Sequence, residues 1–181
     1  MYIKRICYPV KTLGPGRRVA IWVTGCEKRC KGCMSPELQN MQNGNDYSIE
    51  EIMYMLEKIE DKIDGFTISG GEPFLQTKEL YLLVNSICNS FTDDIIVYSG
   101  YSLKELMDTT DDNIEKILSK IAVLIDGEYV DELNDGIGLR GSNNQNVHIF
   151  KYEDKYNNLE TQPRSLQSFR YNNQILLVGI Q

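Results

Sequence analysis

The chain has 181 residues, 41% of them hydrophobic and 25% charged, with a net charge of −7. That length and balance suit one soluble globular domain, and the negative charge argues against general nucleic-acid binding. No apolar run approaches a membrane span, and no secretory h-region opens the chain.

Taken in order, the turn Gly14-Pro15-Gly16 introduces a buried strand from Arg18 to Thr24. A charged, cysteine-rich loop follows. Ser48 with Glu51 three residues later is a capping box, opening a helix expected to run to about Ile63 and to close at Gly65. Phe66 to Ser69 reads as a short strand ending at Gly70-Gly71, and Lys78 to Asn89 as a second helix. The next strand, Asp94 to Tyr98, ends at Ser99-Gly100. Helical patterns over Ser102–Met107 and Asp112–Lys120 precede a buried strand from Ile121 to Ile125, which Asp126-Gly127 terminates. Beyond Gly127 the alternation fades into polar turns, until Leu166–Arg170 and Gln174–Ile180 flank Tyr171-Asn172-Asn173 as a hairpin.

The cysteine loop carries the chemistry. Cys26, Cys30 and Cys33 are spaced C-x3-C-x2-C, so three thiolates converge from one short segment. A structural zinc site wants four ligands and would have to borrow Cys7 or His148, the only histidine, from far away. Closely spaced cysteine thiolates are the ligands of iron–sulfur clusters, and three on a four-iron cluster leave one iron open for reaction. Five cysteines, an odd number, make a disulfide framework improbable and point to free thiols in the reducing cytoplasm. Cys7 and Cys88 read as buried small hydrophobes. Lys11, Arg17, Arg18, Lys28, Arg29 and Lys31 crowd this part of the chain, either as a solvated basic face or as compensation for a negative cluster or docking of an acidic partner.

Strands alternating with helices imply βαβ units and a mainly parallel sheet. The cysteine loop, Ser69-Gly70-Gly71-Glu72, Tyr98-Ser99-Gly100 and Asp126-Gly127 each follow a strand's carboxyl end, the edge where parallel α/β folds bind ligands. A closed eight-unit barrel typically needs about 250 residues. The expectation is therefore an α/β fold built as an incomplete TIM-like barrel over residues 1–155, with a C-terminal extension over 156–181 that includes the hairpin. The gap in such a barrel leaves the site open to a large substrate.

The cysteine motif, followed by Ser69-Gly70-Gly71-Glu72-Pro73, resembles the radical S-adenosylmethionine superfamily. Further similarity lies in Gly14-Pro15-Gly16-Arg17, Gly65 through Phe74, Tyr98 through Tyr101, Ile125-Asp126-Gly127 and Arg140-Gly141-Ser142-Asn143-Asn144-Gln145. Together these resemble anaerobic ribonucleotide reductase activating proteins over roughly the first 150 residues. The resemblance implies a [4Fe–4S] cluster on Cys26, Cys30 and Cys33, with S-adenosylmethionine chelating the fourth iron. Cleavage by an electron from the cluster would give a 5′-deoxyadenosyl radical that makes a glycyl radical on a large partner enzyme, with a reducing donor such as flavodoxin. It implies that Gly70 and Gly71 let the backbone approach the methionine end, that Glu72 accepts from its ammonium, and that the backbone of Gly32 and Met34 meets the adenine. Ser99 is implied for the ribose or the methionine carboxylate, and Asp126 for the ribose hydroxyls or as a turn cap. The chain departs from the pattern at Met34-Ser35-Pro36-Glu37, at Asn146 and in its long tail. These departures keep two other readings open: a peptide or small metabolite as target, or a non-catalytic metal-binding module.

Overall fold

The computed structural model describes residues 1–171 and 174–181. The chain forms β1 (Tyr2–Val10), β2 (Arg18–Val23), β3 (Asn45–Asp46), β4 (Gly65–Gly70), β5 (Ile95–Tyr98), β6 (Val123–Asp126) and β7 (Asn146–Ile149). These make one open sheet in the order β3-β1-β2-β4-β5-β6-β7. The four central strands β2, β4, β5 and β6 are parallel, as alternating βαβ units require. The outer strands β1, β3 and β7 run antiparallel to their neighbours. Crossovers between the parallel strands carry α1 (Ile49–Glu57), α2 (Thr77–Ser90), and the pair α3 (Leu103–Met107) and α4 (Asp112–Leu118). A short α5 (Glu153–Tyr156) precedes a separate antiparallel pair, β8 (Gln167–Tyr171) and β9 (Gln174–Val178). The expected hairpin strands are thus present; its turn residues Asn172 and Asn173 lie outside the described residues.

Side-chain alternation along the strands splits the apolar residues between two layers. Ile21, Phe66, Ile68, Ile95, Val97 and Leu124 join Leu80, Leu83, Val84 and Ile87 of α2 and Ile114 and Ile117 of α4 in the main core. The other face is equally buried, which is why these strands read as continuous apolar runs. There Ile96, Val123 and Ile125 pack against Leu139, Tyr156 and Leu159, while Val10, Leu13 and Ala20 pack against Val178. Chain beyond residue 155 therefore helps to cover this face of the sheet, together with Leu139 and the β1–β2 connection. At its foot Arg18, fully buried, spans β2, β4 and the start of β5. It bonds Thr67 Oγ1 (2.8 Å), Asp94 Oδ1 (2.9 Å) and Tyr156 Oη (3.1 Å).

Two differences from the sequence reading have physical causes. The Ser48–Glu51 capping box forms, but α1 stops at Glu57, six residues before Ile63. Ile59 and Ile63 reach the core from irregular chain, and Gly65 opens β4 instead of closing the helix. Strands β1 and β7 carry no legible signal, because both are peripheral and β1 is interrupted by register shifts near a cis Tyr8–Pro9 bond.

Candidate functional site

Because β2, β4, β5 and β6 are parallel, the segments that follow them emerge at one edge of the sheet. After β2 the chain turns at Gly25 (φ 93°) into the cysteine loop. Gly25 N donates to Leu38 O (2.9 Å) and Cys26 N to Gln39 O (3.0 Å), so a short helical turn at Pro36–Leu38 folds the loop back on the strand end. Within it Cys33 N donates to Cys30 O (3.2 Å), while Arg29 and Gly32 adopt φ of 53° and 74°. Cys26, Cys30 and Cys33 are half-exposed free thiols lining one solvent-open cleft.

Met34, Gly70, Gly71, Glu72 and Ser99 line the same cleft. The two glycines are also demanded by backbone packing: a Cβ on Gly70 would lie 2.3 Å from Val23 O, and one on Gly71 2.3 Å from Gly25 O. Gly71 N donates to Val23 O (2.9 Å) and Glu72 N to Gly25 O (2.7 Å), which fastens the end of β4 to the start of the cysteine loop.

Glu72 is 1% exposed. Its Oε1 accepts from Phe74 N (2.9 Å) and Ser99 Oγ (3.0 Å), and its Oε2 from Gly100 N (2.6 Å). Burial pushes the carboxyl up to about 7, although those hydrogen bonds and the charge of Lys28 favour the ionised form. Ser99 in turn accepts from Tyr101 N (3.0 Å). The result is a buried carboxyl beside the cleft, held in place by three donors.

Gly32 and Asp126 do not line the cleft. A Cβ at Gly32 would meet Asp131 at 2.8 Å, so this position packs the loop against the segment after β6. Asp126, also 1% exposed, accepts from Leu103 N at the start of α3, from Asn146 Nδ2 (2.9 Å) and from His148 Nε2 (2.9 Å). Its neighbour Gly127 reaches the cleft instead, as do Lys28, read from the sequence only as one of six crowded basic residues, and Tyr129, which was not singled out. Lys28 could have been found from its place between two cysteines. Tyr129 had no local signal. Gln145 also lines the cleft; its Oε1 accepts from Gly141 N (2.7 Å) and its Nε2 donates to Gly127 O (2.6 Å), ordering the Arg140–Gln145 run.

Burial raises the Cys30 thiol, with Glu128 and the other two cysteines adding to the rise and the Tyr129 N–H opposing it. Cys7 and Cys88 are elsewhere, each packed at the edge of a hydrophobic core. Among the described residues no three His, Cys, Asp or Glu side chains are grouped to hold a single metal ion. No helix among them is long and apolar enough to cross a membrane.

The sequence matches, over residues 12–148, the family model described as a 4Fe-4S single cluster domain. The anaerobic ribonucleoside-triphosphate reductase-activating protein of Vibrio cholerae is 34% identical over 151 residues, 79% of this chain and 95% of the relative. That of Haemophilus influenzae is 35% identical over 152 residues, 80% and 96% of the two chains. That of Escherichia coli (strain K12) is 32% identical over 149 residues, 78% and 94%.

The chain belongs to this family of activating proteins. The donor set of the cleft fits the cluster named in the matching family model: three free thiols line one open cleft. The family match ends at residue 148, short of α5, β8 and β9.

Proposed function

We propose that the protein is a radical S-adenosylmethionine enzyme that activates an anaerobic ribonucleoside-triphosphate reductase by generating a glycyl radical on it. The observation that carries this reading is the single cleft in which Cys26, Cys30 and Cys33 share a lining with Gly70, Gly71, Glu72 and Ser99. The names of its relatives support the choice of target. We read the open sheet as an incomplete barrel whose exposed edges leave the cleft reachable by a loop of a large partner, and a reducing protein such as flavodoxin as the electron source.

When bound, a [4Fe–4S] cluster held by Cys26, Cys30 and Cys33 would supply the electron that splits S-adenosylmethionine. Glu72 would accept from the amine of the methionine end, with Ser99 and Gly100 fixing the Glu72 carboxylate, and the Gly70-Gly71 backbone would form the floor. Gly32 and Met34 shape the loop on the adenine side. Asp126 acts from behind, capping α3 and holding Gly127 at the rim. The test is anaerobic incubation of the reconstituted protein with reductant, S-adenosylmethionine and the candidate reductase. The expected result is a doublet glycyl signal in electron spin resonance; 5′-deoxyadenosine without that signal would redirect the reading to a peptide or small metabolite.

Glu72 gives this reading a pH signature. Its folded-state pKa of about 7 lies above the ordinary 4.5. The folded protein therefore binds a proton that the unfolded chain has released between those values, and the stability from this group fades as pH rises through that window. The N–H groups of a bound amine favour the carboxylate, so S-adenosylmethionine binding below pH 7 expels the Glu72 proton, in addition to the one the amine itself loses when it ligates iron. Calorimetry near pH 6.5 in two buffers of different ionisation enthalpy should show net proton release, and Glu72→Gln should reduce it. An equal proton count for parent and variant would remove Glu72 from the ligand site.

A further inference from the structure

Lys28 lies between Cys26 and Cys30, and its side chain is only 17% exposed. Nζ donates to Glu105 Oε1 at 3.0 Å and stands 4.4 Å from the centroid of the Tyr101 ring. Glu105 is itself anchored, because its Oε2 accepts from Ser102 N (2.6 Å) and Ser102 Oγ (2.8 Å) at the cap of α3. Tyr101 is anchored through its N–H to Ser99, the residue that bonds Glu72.

The path of this side chain matters more than the single ion pair. The cysteine loop follows β2, whereas Tyr101 and Glu105 follow β5, and β4 lies between those strands. Lys28 therefore crosses above the end of β4, where Gly70, Gly71 and Glu72 sit. A Cβ on Gly100 would come within 3.2 Å of Lys28 Cγ and 3.4 Å of Glu72 Oε2, which measures how closely the three groups are layered. An exposed lysine–carboxylate pair contributes little to ordering a loop. Here Glu105 is half-exposed, but the Lys28 stem is largely covered and its ammonium is held by both a carboxylate fixed on Ser102 and an aromatic face.

We propose that Lys28 is a positioning residue for the iron–sulfur cluster: its bridge to Glu105 and Tyr101 pins the Cys26–Cys30 segment over the end of β4, and its fixed positive charge raises the cluster's reduction potential. This rests on the reading that Cys26, Cys30 and Cys33 hold the cluster. Reduction adds a negative charge to a group already ligated by three thiolates. A cation on the same cleft wall stabilises the reduced form and makes the electron easier to deliver.

The experiment compares the full-length parent, Lys28→Met, Lys28→Arg and Glu105→Gln after anaerobic reconstitution with iron and sulfide. Midpoint potential is read by spectroelectrochemistry and cluster retention by the rate of iron loss to a chelator. Limited proteolysis of the metal-free proteins reports order in the loop before any cluster is present. Lys28→Met should shift the potential negative, lose iron several-fold faster and be cut sooner within residues 26–33. Lys28→Arg should restore all three. Glu105→Gln, which removes an anion and keeps the cation, should shift the potential positive while still loosening the loop. Potentials that stay at the parent value, or that move in the same direction in Lys28→Met and Glu105→Gln, would overturn the electrostatic part. Unchanged iron loss and cleavage would overturn the latch. A parent chain that assembles no cluster would instead remove the cysteine assignment on which the proposal stands.

Discussion

Replacing Cys30 by alanine should abolish both cluster binding and 5′-deoxyadenosine formation while leaving the metal-free protein folded. The loop is held at its entry by backbone hydrogen bonds from Gly25 to Leu38 and from Cys26 to Gln39, neither of which uses a thiol. Cys30 is half-exposed and packs in no core cluster, so losing its sulfur leaves no large cavity. A substitution of that kind costs about 0.5 kcal/mol or less. On the proposed ligation the cluster would depend on each thiolate in a way the fold does not, since two protein ligands would remain of three. Iron and sulfide content, product yield and the thermal midpoint of the metal-free protein separate these effects. Cys7→Ala and Cys88→Ala, made alongside, should keep iron and product. Full iron content in Cys30→Ala would mean that the cluster is ligated elsewhere.

The largest effect on stability should come from Arg18→Met. The guanidinium is fully buried and bonds Thr67, Asp94 and Tyr156, together with the carbonyl of Phe66. Removing it leaves the Asp94 carboxylate, 4% exposed, with only Lys155 and the Tyr156 hydroxyl, and strips the bond from Phe66 O. Breaking one side of a buried ion pair costs about 3–5 kcal/mol. For a chain of this size each kcal/mol lowers the thermal midpoint by roughly 2–4 °C, so a fall on the order of 10 °C is expected. Arg18→Lys should recover only part of it, because a lysine keeps the charge but cannot supply the planar fork that reaches several acceptors at once. A fall of only a degree or two for Arg18→Met would show that the network contributes little.

The same residue illustrates what could be read from the chain and what could not. In the sequence Arg18 is one of six basic residues crowded around the cysteines, open to a reading as a solvated face or as compensation for a negative cluster. In the structure four of them are matched to acids far along the chain: Arg17 to Asp61, Arg18 to Asp94, Lys28 to Glu105 and Lys31 to Glu132. Local charge density carries no information about partners that folding brings from 44 to 101 residues away. Asp126 makes a similar point. Its position after a buried strand was legible, but its hydrogen bonds from Asn146 and His148 depend on β7, a strand with no clear pattern of its own, and the one from Leu103 depends on where α3 begins.

By itself the sequence determined the central parallel strands, their helices, and the meeting of the cysteine loop with Gly70-Gly71-Glu72 and Ser99 at one edge. It could do so because apolar runs, caps and turn glycines are local signals, and because parallel strands place every following loop on the same side. Only the tertiary structure decided how the outer strands pair, where α1 stops, that the C-terminal segment covers one face of the sheet, and that Lys28 reaches over β4 to α3. Those features rest on contacts between residues distant in the chain, whose energies appear only once the sheet exists to hold both partners.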